Sequence, residues 1–128
     1  MKTSSFFTYY GPGRVAISRG TPRGLKAGYV RYLALAPGPW FSSVSRAEYE
    51  RLYKDHLKSM SAKAVWEDLH RITGGVEPVL LCYERPPFNE QNYCHRRMVA
   101  EWFEMELGVV VPEWSVQRES NPQSELVF

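Results

Sequence analysis

"EPVLLCYE", Glu77–Glu84, is the stretch on which the fold turns. Its centre is an unbroken apolar run with no polar alternate, the pattern of a strand buried on both faces rather than one. The segment before it ends in "TGG", Thr73–Gly75, which terminates a helix. The segment after it leads into a further helical pattern, predicted from about Asn92 to Leu107 and stopped by Gly108. A doubly buried strand between helices implies an α/β fold: one three-layer domain with a mostly parallel central sheet flanked by helices.

Working outward, Phe6–Tyr10 reads as a first strand, aromatic and Thr-containing. "GPG" at 11–13 is a turn, and "RVAIS", Arg14–Ser18, alternates as a second strand does. "RGTPRGLKAG", 19–28, holds three glycines, one proline and three cations, so it is a loop leaving that strand. "YVRYLALAP" is a short strand or extended segment. Ser45 and Glu48 form a capping box that opens a helix, whose apolar side is Tyr49, Leu52, Tyr53, Leu57 and Met60. A second helix is predicted from about Ala62, and "VVVPEW" is a last short strand. Residues 1–114 form the single domain, and 115–128 are a polar, mobile tail.

At 128 residues and 44% hydrophobic content the chain can bury a core without disulfide staples. No segment has the pattern of a signal peptide or approaches the roughly 18 apolar residues of a membrane span. Two cysteines are too few for a secreted disulfide framework. A soluble, cytoplasmic protein is therefore expected, with no membrane association. The net charge of +2 conceals an asymmetry: seven cations precede the first acid, Glu48. A basic segment rich in Gly, Pro and aromatics suits an anionic partner, either a small phosphate-bearing ligand or nucleic acid. The alternative is that these cations pair with acids of the second half.

The chemistry-bearing residues gather around both ends of the loop after the central strand. Cys82 and Glu84 stand at the strand's carboxyl end. "CHR", Cys94–Arg96, opens the next helix, with His95 on its apolar face and Arg97 on the wet side, i,i+4 from Glu101. A cysteine at a helix N-terminus beside His and Arg has its thiolate favoured. Four readings are open. The cysteines are inert buried side chains and His95 satisfies a backbone carbonyl. Or Cys94, His95 and Glu84 are catalytic around an anion held by Arg19, Arg23 and Arg96. Or the same residues form a non-catalytic pocket. Or Cys82 and Cys94 form a redox pair or, with His95, a metal site. The 11 residues separating the cysteines match no zinc-finger spacing, and neither a metal nor a cofactor is assigned.

"PVLLCYE", "NYCHRRMVAEW" and "LGVVVPEW", with "RVAISRGTPRG" upstream, resemble the DUF488 family of small bacterial and phage proteins, whose pattern is LLC-x-E followed by CHR and a helix. The resemblance spans roughly residues 6–114. It implies a compact α/β domain and a shared site, but no reaction, since the family has no established activity. Its motif positions here are Cys82, Glu84, Cys94, His95 and Arg96, with Arg19, Pro22, Arg23 and Gly24 from the upstream loop. The loop "RPPFNEQNY" is longer than the family's and adds Arg85 and Phe88.

Trp40, in the loop "PGPWFSS", and Tyr10, beside the basic loop, are candidate stacking platforms for a base. His56 and His70 read as structural. Neither a P-loop nor a G-x-G-x-x-G is present. The function expected is action on a nucleotide-like or nucleic-acid substrate at an anion-binding Cys/His/Arg site. The alternative is a binding module for nucleic acid, a nucleotide signal or an acidic protein. The sequence fixes neither the substrate nor the oligomeric state.

Overall fold

The computed structural model describes residues 1–25, 27–84 and 95–115. Four parallel strands form one sheet in the order β1-β4-β2-β3: β1 Lys2–Ser5, β2 Arg14–Ala16, β3 Val30–Arg31 and β4 Val79–Cys82. The apolar run is central, between β1 and β2, and all four of its residues are buried. The parallel α/β fold read from that run is the fold the chain adopts.

Three helices follow the residue patterns closely. Helix α1, Arg46–Lys58, starts where Ser45 Oγ accepts the Glu48 N–H at 3.2 Å. Helix α2, Ala62–Ile72, is capped in the same way by Ser61. Helix α3 is described as His95–Leu107. Residues 85–94, including Cys94, Arg85, Phe88 and the predicted start of α3 at Asn92, lie outside the described residues, as do 116–128 of the expected tail.

The two faces of the sheet are covered differently. Val15, Ile17 and Leu80 point into the main core with Tyr53 and Leu57 of α1, Val65 and Leu69 of α2, and Val99 and Phe103 of α3. On the other face Ala16, Val79 and Leu81 pack with Phe6, Tyr9, Leu25 and Tyr29, all from loops. The alternation along β2 and β4 thus sends successive side chains to a helical layer and to an aromatic loop layer.

Three sequence expectations are corrected. The first strand is Lys2–Ser5, not Phe6–Tyr10. "KTSS" carries no strand signal, yet Thr3, Ser4 and Ser5 are buried because each side chain is hydrogen-bonded: Thr3 to Glu113, Ser4 to the Trp114 carbonyl, Ser5 with Thr8. "VVVPEW" makes a single parallel bridge, Thr3–Glu113, because Pro112 can donate no ladder bond. Arg97 is half-buried and does not point to water; its Nη1 donates to Thr3 Oγ1 at 2.8 Å and to the Val111 carbonyl at 2.9 Å.

The turn before β2 is tight. Gly13 has φ +82°, and a Cβ there would stand 2.1 Å from the Glu77 carbonyl oxygen. Gly13→Ala should therefore cost about 2 kcal/mol or more in urea unfolding, through a left-handed backbone and a backbone clash. A change within about 0.5 kcal/mol would contradict this account.

Candidate functional site

A cavity of about 510 Å³ opens at the carboxyl ends of β2 and β4, the edge at which parallel α/β sheets take their ligands. Chain continuity brings Ser18, Arg19 and Gly20 to it from β2, and Cys82, Tyr83 and Glu84 from β4. His95 enters from the first turn of α3, and Pro37, Phe41 and Tyr49 complete the wall. Arg19 is exposed; its Nη1 donates to the Pro37 carbonyl at 3.1 Å and its guanidinium lies 6.0 Å from the centre of the Phe41 ring. A guanidinium has five N–H donors, so this bond fixes its position without exhausting it. The Arg19 carbonyl in turn accepts from Arg31 Nη2 at 2.7 Å.

Arg19 and Pro37 also line a second cavity, of about 620 Å³, whose walls include Arg31, Trp40, Asp55 and His56. Trp40 meets Tyr49 edge-on at 5.2 Å. Its indole nitrogen lies so close to Gly38 that a Cβ there would fall 2.3 Å away. Glycine at 38 is what lets this ring fold back onto its own loop.

His95 is 4% exposed. Its Nε2 donates to the Ile17 carbonyl at 2.7 Å, which leaves Nδ1 as the acceptor nitrogen of a neutral ring. Tyr53 meets the imidazole edge-on at 5.2 Å. Burial first of all pulls its pKa down from 6.5 to about 4; the Ile17 bond opposes the shift and the Arg96 charge adds to it. The imidazole therefore satisfies a backbone carbonyl and lines the cavity at once, uncharged at neutral pH.

Arg96 faces away from the cavity and is fully buried. Nε and Nη2 grip Glu113 at 3.0 and 2.8 Å, a bidentate pair, and Nη1 donates to Cys82 Sγ at 3.1 Å. Cys82 is disulfide-bonded. Of the predicted site residues, then, Arg19, Cys82, Glu84 and His95 meet in one cavity, and Trp40 stands in the adjoining one. Arg23 and Tyr10 line neither, Tyr10 being 60% exposed, and Cys94 lies outside the described residues. Among the described residues, no group of three or more His, Cys, Asp or Glu could hold a metal ion. No helix there is long and apolar enough to cross a membrane. Sequence reasoning missed Ser18 and Tyr49 as lining residues and Glu113 as the partner of Arg96. The one available signal was an acid embedded in the apolar "VVVPEW".

A family model described as a domain of unknown function, DUF488, matches residues 21–103. The chain belongs to the DUF488 family. The matched span contains Cys82, Glu84, His95 and Arg96, whereas Arg19 and Glu113 fall outside it. No curated protein and no solved structure matches the chain. In this DUF488 chain Cys82, Glu84 and His95 stand on the cavity wall, and Arg96 lies behind it.

The depressed pKa of His95 has a consequence for stability. The unfolded chain binds a proton near pH 6.5 and the folded chain only near 4, so stability is full above pH 6.5 and is lost as pH falls toward 4. His95 should contribute a loss of about 3 kcal/mol across that window. Urea unfolding at pH 7 and 4.5 should show the wild type losing distinctly more than His95→Gln. Parallel curves for the two proteins would contradict the assignment.

Proposed function

We propose that the protein binds a small phosphorylated, nucleotide-like molecule at the carboxyl edge of its sheet. The observation that carries this reading is the convergence of Arg19, Glu84 and His95, from three separate elements, on one cavity. Arg19 is the cation for the phosphate, because a guanidinium offers forked donors to an oxyanion and this one is exposed. His95 adds an uncharged ring to the same wall. The cavity lies in the size range of small-molecule sites. Trp40 and Arg31, across the shared Arg19, offer the adjoining space a ring and a second cation for a base and its sugar.

A second reading, turnover of that ligand, is favoured by the presence of Glu84 and His95 in the same cavity. A carboxylate and a neutral imidazole are both proton acceptors at pH 7. Burial makes the imidazole a weak base, and Glu84 places a carboxylate in the same cavity. A nucleic acid as ligand is the less favoured partner, since it would engage many phosphates outside so confined a space.

Calorimetric titration with nucleoside mono- and diphosphates, and with inorganic phosphate, tests the reading. Arg19→Ala should weaken binding about tenfold or more for every ligand. Trp40→Ala should weaken the nucleotides and leave phosphate unchanged. Affinity should fall only modestly with salt, whereas a nucleic-acid site would lose it steeply. Unchanged affinity in Arg19→Ala would remove the proposal. Turnover is read separately by phosphorus NMR, where Glu84→Gln should slow product formation without altering the dissociation constant.

A further inference from the structure

We propose that the second cavity reads the sugar of the ligand, and that the molecule bound is a nucleotide carrying the free vicinal hydroxyls of ribose. Given the phosphorylated ligand proposed above, on which this assignment rests, the acceptors of that cavity need a partner of their own. Its walls are chemically divided. Arg19 and Arg31 come from the strand side, and a guanidinium can only donate. Leu52, Asp55, His56 and Ser59 come from α1 and its C-cap, at the three- and four-residue spacing of one helix face.

A carboxylate in a phosphate-binding pocket repels the ligand unless it serves an uncharged part of it. Asp55 keeps its oxygens available for that. Its ion pair with Arg51 is 3.6 Å long, beyond hydrogen-bond range, and Arg51 gives its short bonds to Glu48, at 3.0 and 2.6 Å. Ser59 Oγ donates its one proton to the His56 carbonyl at 2.6 Å, so toward the cavity it can only accept. Asp55 and Ser59 are thus two acceptors one helical turn apart. Hydroxyls on adjacent carbons supply one donor to each. A guanine edge also presents two donors, but a single carboxylate takes both and leaves Ser59 without a role.

The acceptor wall is fastened before any ligand arrives. His56 Nε2 donates to the Ala34 carbonyl at 2.6 Å and the Tyr53 hydroxyl to the Leu35 carbonyl at 2.5 Å. These bonds tie α1 to the segment whose Leu33 and Ala36 line the same cavity. A wall placed in advance lowers the ordering cost of binding.

Calorimetric titration of the full-length protein tests this with adenosine and guanosine monophosphates, their 2′-deoxy and 2′,3′-dideoxy counterparts, and inorganic phosphate. Affinity should fall stepwise as hydroxyls are removed, by about tenfold or more in all. Asp55→Ala should narrow that ratio by weakening the ribonucleotides, while the dideoxy forms and phosphate bind as before or slightly better. Ser59→Ala should narrow it in the same way. Equal affinity for ribose and dideoxy forms overturns the assignment and leaves the phosphate site standing, since Arg19→Ala reads that separately. Tighter binding of every ligand to Asp55→Ala makes the carboxylate a merely repellent charge and overturns it as well. So does a loss confined to guanosine monophosphate, which puts Asp55 on the base. Binding of no nucleotide and no phosphate removes this assignment together with the ligand reading.

Discussion

The Arg96 guanidinium is withdrawn from water completely, and burying a cation is costly unless it is both paired and hydrogen-bonded. Glu113 supplies the charge and Cys82 accepts from the remaining edge. Those contacts tie together three parts of the chain that have no sequence proximity: the start of α3, the end of β4 and the segment after α3. Glu113 also accepts from Thr3, and Thr3 from Arg97, so the edge strand β1 belongs to the same network. A pair of this kind adds little net stability against an apolar replacement, while loss of one partner leaves a charge stranded. Its effect is positional. It anchors Arg96 between β4 and the segment after α3, and His95 is its neighbour in the chain.

The unequal covering of the sheet follows from the same arrangement. The helices lie on the side of Val15, Ile17 and Leu80, and Cys82 continues that side toward Arg96. The other side has no helix among the described residues and is closed by Phe6, Tyr9, Leu25 and Tyr29. Aromatic rings suit that task because each covers a large area from a short loop, as in the edge-on contacts of Phe6 with Tyr29 and Tyr83. The strand ends are left with a recess between helix start and loop, and the candidate site occupies it.

Within that recess the charges are not where a count of basic residues would put them. His95 is neutral, held so by burial, with its tautomer chosen by the Ile17 carbonyl. Arg96 is spent on Glu113 and sulfur. Among the described residues the cation facing the cavity is Arg19, placed by the Pro37 carbonyl and flanked by Phe41. Other members of the basic first third have local duties: Lys2 pairs with Glu77 at 2.6 Å and Arg46 with Glu50 at 3.1 Å.

By itself the sequence determined the central strand, all three helices, the capping serine of α1 and the inward turn of His95. Each of these is a local pattern: an apolar run, a helical period or a side chain three residues from an N–H. It also pointed to Arg19, Glu84, Cys82 and His95 as neighbours, because in a parallel sheet the loops after adjacent strands share an edge. Tertiary structure alone decided that "KTSS" is a strand. Thr3 and Ser4 are buried because their hydroxyls donate to Glu113 and to the Trp114 carbonyl, partners more than 100 residues on. It likewise decided that Arg96 serves Glu113 and Cys82 rather than the cavity, and that Arg97 points inward. A long cationic side chain near a helix start can reach in several directions, and the acceptors that choose among them come from segments whose approach no local pattern encodes.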